Sequence, residues 1–205
     1  MAITRTCLVA GLFLAPGVSR AAGIAEEDFV YPDGPLAGQG GGAGWSGAWK
    51  TSTNYFVSGG RAVLSFNSNS VSIERVFAAA ITNPVTYFSG VFSCTDSNSY
   101  RAQFQIAATN NSRAVQFGLS AGTFEVILRG TNSTQSEPEG GSYPRGTEVL
   151  VVARLELDAS GTNEQLSLWA NPGAVETQPP TVSVQYETSA TALSSLKLLS
   201  YNVDN

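Results

Sequence analysis

Apolar and polar residues alternate in short segments along most of this 205-residue chain. The clearest cases are residues 100–106 and 147–158, in which every second position is apolar or small. Because the side chains of a β-strand point alternately to its two faces, this period of two predicts strands with one apolar and one polar face. Two stacked sheets are the simplest arrangement that pairs so many apolar faces. The sequence therefore predicts an all-β fold, a two-sheet antiparallel β-sandwich.

Turn-forming residues separate the alternating segments. Glycine, asparagine, serine and proline stand at their ends, as expected for strands joined by turns. Beyond the first 21 residues, no window of about 11 residues keeps the 3.6-residue apolar period of a helix. The predicted strands are residues 61–66, 71–77, 86–94, 100–106, 113–119, 123–129, 147–158, 165–171, 181–186 and 194–201.

The start of the chain has the pattern of a secretory signal peptide. Arg5 is followed by an apolar run, and the small residues Ser19 and Ala21 fit an A-x-A-like cleavage site. Cleavage after Ala21, or a residue or two later, would make residues 1–21 the signal and 22–205 a single secreted domain. The apolar run is shorter than the roughly 20 residues that span a bilayer, so no membrane insertion is expected after signal removal. An uncleaved anchor is the alternative.

The net charge limits the kinds of partner that the protein is expected to bind, and the cysteine content limits the disulfides that it can form. The chain carries a net charge of −5, and loss of Arg5 and Arg20 with the signal leaves 9 basic against 16 acidic residues, or −7. A protein of this charge is not expected to bind nucleic acid or anionic lipid surfaces. Cys7 would leave with the signal, so the mature form is expected to keep Cys94 as a single free thiol.

A stretch rich in glycine and tryptophan carries a more specific pattern. From Glu27 to Trp49 it reads E-x-F-x-Y-P-x-G-x-L-x-G-Q-x-G-G-x-G-W-x-G-x-W. This resembles the opening of the concanavalin A-like (laminin G-like) sandwich domains of bacterial secreted and surface proteins, in which it forms the first strand. The matching residues are Phe29, Tyr31, Pro32, Gly34, Leu36, Gly38, Gln39, Gly41, Gly44, Trp45, Gly47 and Trp49. The resemblance implies a concanavalin A-like jelly roll located outside the cell or at its surface.

The resemblance continues more loosely towards the end of the chain. Residues 86–92, 113–119 and 150–172 look like later strands of that family. Such domains usually close with a further strand, of the form D-x-I-R-I-G-T-x-W, after the segment that residues 193–201 resemble. Because the chain stops at Asn205, the resemblance implies a truncated member or one that has lost its last strand. An open sheet edge beside Leu196 and Leu198, with weak self-association, is then expected.

Candidates for catalysis are few. The chain has no histidine, which excludes Ser-His-Asp and Cys-His catalysis and ordinary zinc sites. Glu156 and Asp158 share one strand face, and glucanases of the resembled fold place their acids as Glu-x-Asp-x-Glu, but the third position here is Ser160. We assign no catalytic residue, no metal site and no cofactor. A polysaccharide hydrolase or lyase on the same fold is the alternative.

The polar strand faces hold the candidate binding residues. Amides and charged groups bond sugar hydroxyls, and an indole ring stacks on a pyranose. The candidates are Trp169, Gln165, Ser167, Arg154, Glu156, Arg101, Gln103 and Gln105. Trp45 and Trp49 are expected in the core or at its rim. The sequence favours a secreted, non-catalytic carbohydrate-binding or surface-adhesion module whose partner is a polysaccharide or glycan, with a structural fragment of a larger surface protein as a further alternative.

The exported protein is expected to begin near Ala22, because the apolar run and the small residues before it direct cleavage there. Its intact mass should match residues 22–205, and thiol titration should find one cysteine. Retention of Met1, or two titratable thiols, would contradict this prediction.

Overall fold

The computed structural model shows an all-β protein. It describes residues 6–10, 24–50, 54–65, 70–94, 100–109, 114–130, 135–136, 139–144, 146–158, 163–173, 175 and 177–202. Those ranges contain no helix, and hence none long and apolar enough to cross a membrane. The strands are β1 Thr6–Ala10, β2 Gly34–Pro35, β3 Tyr55–Val57, β4 Arg61–Ser65, β5 Ser70–Ile81, β6 Val85–Cys94, β7 Tyr100–Ala108, β8 Val115–Ser120, β9 Thr123–Arg129, β10 Gln135–Ser136, β11 Glu139–Gly140, β12 Val149–Glu156, β13 Glu164–Ala170, β14 Val182–Tyr186 and β15 Leu193–Asn202.

Two antiparallel sheets share one apolar core. The first sheet has the order β14-β13-β12-β6-β1-β4-β3-β2, and the second has the order β10-β9-β8-β7-β15-β5, with β11 also paired to β9. Leu64 and Phe92 of the first sheet lie in the same buried cluster as Ile106 and Phe117 of the second. This arrangement is consistent with a β-sandwich. It confirms the prediction of an all-β fold with antiparallel sheets.

The observed strands follow the alternating segments closely. The strand predicted at residues 123–129 is β9 with the same bounds. The strand predicted at 71–77 is longer, because β5 runs on to Ile81. Residues 78–80 are three exposed alanines, which carry no alternation of apolar and polar side chains. They lie where the register of β5 with β15 shifts between Val76 and Ile81, and the Ala78 N–H donates to the Gly44 carbonyl at 2.8 Å.

The glycine-rich stretch is not a strand, which corrects the expectation drawn from the resemblance. Only β2 and two isolated bridges, Glu26 with Ala43 and Trp45 with Phe77, give it strand character. At Gly42 the backbone has φ +65°, and a Cβ there would stand 2.0 Å from the Glu26 carbonyl oxygen. Glycine is therefore required because the chain folds back on itself at close range.

A buried carboxylate organises this stretch. Glu27 Oε2 accepts hydrogen bonds from Trp49 Nε1 at 3.0 Å and from the Tyr31 hydroxyl at 2.8 Å, and it is ion-paired with Arg75 Nη1. Glu27 Oε1 accepts a hydrogen bond from the Phe29 N–H at 2.9 Å. Burial and the bond to Glu27 raise the pKa of Tyr31 to about 12, so its hydroxyl stays protonated and donates at neutral pH.

Arg75 joins the same stretch to β5. Its Nε donates to the Gly47 carbonyl at 2.8 Å and its Nη2 to the Gly41 carbonyl at 2.7 Å. The guanidinium carbon lies 5.0 Å from the ring centre of Trp45 and 5.8 Å from that of Trp49, within the range of cation–π attraction. Trp49 is buried and Trp45 partly buried, which confirms their predicted place in the core or at its rim.

The anchored stretch covers an edge of the second sheet. Three backbone hydrogen bonds join it to β5: Ser46 N–H to Val76 O at 2.9 Å, Lys50 N–H to Glu74 O at 2.9 Å, and Ala78 N–H to Gly44 O at 2.8 Å. An exposed strand edge invites pairing with other chains. The glycine-rich stretch thus closes the edge that β5 would otherwise present along these residues.

The open edge predicted beside Leu196 and Leu198 does not exist. Strand β15 pairs with β7 on one side and with β5 on the other, and both leucines are buried. The prediction was wrong because sequence order does not reveal spatial order, and the last strand here lies inside the sheet. The weak self-association derived from that edge loses its basis.

Strand β1 comes from the segment predicted to be a signal peptide. Thr6–Ala10 lies between β4 and β6 in the first sheet. Other residues of the predicted signal, including the expected cleavage site after Ala21, fall outside the described ranges. The register places Cys94 opposite Cys7, and Cys94 is disulfide-bonded. The single free thiol therefore remains a prediction for the cleaved chain alone.

Replacing Arg75 by alanine should lower the free energy of unfolding by about 3–5 kcal/mol, because the Glu27 carboxylate would stay buried without its cation. Urea unfolding at neutral pH measures the change. Arg61→Ala is the matched control, since it breaks an ion pair with Glu148 in which the two side chains are 40% and 48% exposed. The control substitution should lower the free energy of unfolding by less than about 1 kcal/mol. Equal losses in the two variants would show that the buried pair has no special role.

Candidate functional site: two polar outer faces

The structure divides the predicted binding residues between two sheets. The larger group lies on β12 and β13 of the first sheet, and the other on β7 of the second sheet. Each group alternates along its strand with residues of the shared core, so each faces outward. The first-sheet group is Trp169, Gln165, Ser167, Arg154 and Glu156, and the second-sheet group is Arg101, Gln103 and Gln105.

On the first sheet, the charged residues bind each other. The register sets Arg154 opposite Ser167 and Glu156 opposite Gln165. Arg154 Nη1 lies 3.2 Å from Glu156 Oε1, with both side chains about one-third exposed. The carboxylate of the catalytic candidate is therefore engaged by an arginine two residues away on its own strand.

Trp169 is not an open stacking surface. Its side chain faces away from the shared core, yet the residue is only 5% exposed. The indole Nε1 donates to the Gln178 carbonyl at 2.7 Å, and Thr181 Oγ1 accepts from the neighbouring Ala170 N–H at 3.1 Å. The chain that follows β13 folds back over the ring. A sugar would reach the ring only if that segment moved.

Asp158 follows the end of β12, and Ser160 lies outside the described residues. Across the described ranges, no three or more histidine, cysteine, aspartate or glutamate residues are grouped so that they could hold a metal ion.

The second sheet carries a set of polar side chains, interrupted by Ile127 opposite Gln116, that we call the polar ladder. Its members face outward from three neighbouring strands, β7, β8 and β9. They are Arg101, Gln103, Gln105, Gln116, Ser120, Glu125 and Arg129. The register sets Gln105 opposite Gln116 and sets Gly118 between Gln103 and Glu125.

Glu125 is the centre of one half of the ladder. Gln103 Nε2 donates to Glu125 Oε2, and Arg101 Nη2 lies 2.7 Å from Glu125 Oε1. Arg101 Nε also donates to Ser120 Oγ at 2.9 Å. The carboxylate is thus held by an amide on one side and a guanidinium on the other.

Gln116 is the centre of the other half. Its Nε2 donates to Gln105 Oε1 at 2.6 Å, and its Oε1 accepts from Arg129 Nη2 at 3.3 Å. Since each amide both donates and accepts, the side chains fix one another's orientation. Arg101 and Arg129 reach inward from opposite ends of the ladder.

Gly118 makes the contact between Gln103 and Glu125 possible. It has φ +146°, and a Cβ there would stand 2.4 Å from the Ala102 carbonyl oxygen. No side chain therefore stands between the two residues, and they meet across β8.

The ladder is buried although it faces outward, and one of its acceptors is not used. Gln103 and Glu125 are both 0% exposed. In the described part of the chain, Gln103 Oε1 has no hydrogen-bond partner. A buried acceptor without a donor costs about 1–3 kcal/mol, so a donor that reached this oxygen would bind favourably.

Two carboxylates meet at the edge of the ladder. Glu139 of β11 stands opposite Glu125 of β9 in the register. Glu139 accepts from Ser120 Oγ at 3.1 Å and from Thr123 Oγ1 at 2.9 Å. Sequence reasoning did not pair these residues because β11 is only two residues long and carries no alternation.

The polar surface extends to β15 and β5. Lys197 stands opposite Gln105 on one side and opposite Glu74 on the other. Glu74 accepts from Lys50 Nζ at 2.6 Å and from Ser195 Oγ at 2.5 Å. Partial burial acts to raise the pKa of Glu74, but these hydrogen bonds and the charges of Lys197 and Lys50 outweigh it and lower the pKa below its ordinary value.

Comparisons with known proteins give no relative: no family model matches the chain, and no curated protein is significantly similar to it.

Because of Glu74, the stability of the folded protein should decrease as the pH becomes acidic. A carboxyl whose pKa is lowered in the folded chain adds stability that is present above its ordinary pKa of 4.5 and lost as the pH falls through the folded value. Urea midpoints from about pH 6 to about pH 3 should fall less steeply in Glu74→Gln than in the wild type. The urea midpoint of Lys50→Met, which lacks one of the donors to Glu74, should fall with an intermediate slope. Parallel curves for all three proteins would contradict the assignment.

Proposed function

We propose that this protein is a non-catalytic carbohydrate-binding module of the concanavalin A-like jelly-roll type, secreted or at the cell surface. We propose the polar ladder on the second sheet as its binding site. The observation that carries the proposal is the fixed arrangement of Arg101, Gln103 and Glu125 across Gly118.

The chemistry of the ladder suits a polyhydroxylated ligand. A sugar hydroxyl both donates and accepts, so it needs a carboxylate or amide oxygen beside an amide or guanidinium N–H. Glu125 and Gln103 Oε1 provide acceptors, while Arg101 and Arg129 provide donors. These groups are oriented by one another before any ligand arrives, which lowers the entropy cost of binding.

The hydrogen-bonding networks, and not burial, distinguish the two outer faces, because Gln103 and Glu125 are 0% exposed and Trp169 is 5% exposed. On the first sheet the aromatic ring of Trp169 is covered, and its neighbours Gln165 and Ser167 would contact a ligand only beside that covered ring. Each face has a buried polar atom without a hydrogen-bond partner in the described chain, Arg154 Nε on the first sheet and Gln103 Oε1 on the second. On the second sheet this atom lies among side chains that orient one another through Glu125. We therefore propose that the ligand contacts lie on the second sheet and not on the first-sheet group.

One observation favours the alternative, a polysaccharide hydrolase. Residues directly opposite in an antiparallel pair have Cβ atoms about 4.5–5.5 Å apart, so Glu125 and Glu139 are close neighbours. Retaining glycosidases use two carboxyl groups about 5–5.5 Å apart. Against hydrolysis, the protein's own side chains already bond these carboxylates: Arg101 and Gln103 contact Glu125, and Ser120 and Thr123 donate to Glu139.

Glycan binding should depend on Arg101 and not on Arg154. A glycan array with the purified protein identifies the ligand, and titration then compares Arg101→Ala with the control Arg154→Ala on the other sheet. Loss of a hydrogen bond from a charged group costs about 1.5–3 kcal/mol, so Arg101→Ala should weaken binding about 10- to 150-fold. Arg154→Ala should change it little, and unfolding curves check that both variants are folded.

Other outcomes separate the alternatives. Equal losses in the two arginine variants would remove the ladder from consideration. Release of reducing ends from polysaccharide, abolished in Glu139→Gln but kept in Glu156→Gln, would establish the hydrolase. No binding on any array would leave a structural role.

A further inference from the structure

Of the strands that the structure describes, β1 alone links the two halves of the first sheet. Among the described strands, β6 continues to β12 on one side and β4 continues to β3 on the other, and neither pairs with the other directly. Thr6–Ala10 fills the gap and pairs with both. Removing these five residues would leave unpaired N–H and C=O groups along both flanking strands.

The gap does not close by a simple shift. Strand β1 is antiparallel to both β4 and β6, so these two strands run parallel to each other. They stand two strand spacings apart, or about 9.6 Å, and closing would require half the sheet to move by about 4.8 Å. That movement would disrupt the core beneath it.

The register defines what fits the gap. Two positions of the strand, occupied by Cys7 and Val9, stand between core-facing residues of both neighbours. Those neighbours are Leu64, Cys94, Ala62 and Phe92, and all are buried. The position between them, occupied by Leu8, stands opposite Val63 and Ser93, which alternate with those core-facing residues along β4 and β6. An occupant must therefore be extended, antiparallel to both strands, and apolar or small at two alternate positions.

Other edges are protected. Strand β2 has only two residues, one of them Pro35, and residues 44–50 cover part of β5. Strand β14 lies against β9 of the second sheet, and β9 in turn pairs with β10 and β11. Such short or covered edges do not accept a further strand readily. In the described part of the chain, the gap between β4 and β6 offers two strand edges to one incoming segment, whereas the terminal strand β14 offers one.

We propose that this gap is a strand-acceptor site. Thr6–Ala10 fills it in the full chain, and after cleavage of the predicted signal it binds an extended segment of another polypeptide with apolar residues at two alternate positions. The interaction is β-augmentation, in which main-chain hydrogen bonds give affinity and alternate side chains give specificity.

The test uses exported protein and a labelled peptide of residues 3–12 carrying Cys7→Ser, which prevents disulfide exchange with Cys94. If N-terminal sequencing shows that the signal is absent, the peptide should bind saturably. A peptide with the further change Val9→Asp should bind at least about 10-fold more weakly, because the residues opposite that position, Ala62 and Phe92, are buried and apolar. The matched peptide with Leu8→Asp should bind nearly as well as the parent.

If the exported protein retains Thr6–Ala10, the same register is tested within the chain. Val9→Asp should then lower the urea midpoint, and Leu8→Asp should lower it much less. The proposal is overturned if cleaved protein does not bind the peptide, or if the two aspartate changes have equal effects in either experiment.

Discussion

The buried ion pair between Glu27 and Arg75 is the constraint on which the N-terminal third of the described structure depends. A charge taken out of water is costly unless its remaining hydrogen-bonding capacity is satisfied, and here both partners meet that condition. A loop docked in any other register would leave one of the two charges buried alone. The pair therefore determines where residues 41–49 lie, and those residues in turn close the edge of β5.

The sequence predicted the strands well and their neighbours poorly. Alternation is a local property, so it located β7, β9 and β12 from the residues of each strand alone. Which strands pair is decided by contacts between distant segments, and for this reason β15 was expected beside an open edge. The same holds for β1, whose apolar composition suits both an export signal and the middle of a sheet.

Arg75 shows where a local signal was present but incomplete. It falls in phase with Ile73 and Phe77, which are buried, so a charged residue occupies an apolar position of the pattern. Such a position indicates a buried partner. The partner lies 48 residues earlier in the chain, and nothing in the spacing of the two residues identifies it. The alternation correctly predicted that Arg101, Gln103 and Gln105 face away from the core. It could not predict that Trp169 is covered, because the segment that folds back over the ring has no periodic pattern.

The central place of β15 has a consequence for the order in which the protein folds. Strands β5 and β7 are made early, but the strand that joins them is close to the last residue of the described chain. During synthesis the second sheet lacks its middle, and the two flanking strands have no ladder partner on that side. Sequence-distant pairing of this kind is slow to form. The second sheet therefore cannot be completed until residues 193–202 have been synthesised, and the final step in its assembly is the insertion of a single strand between two strands that are already present.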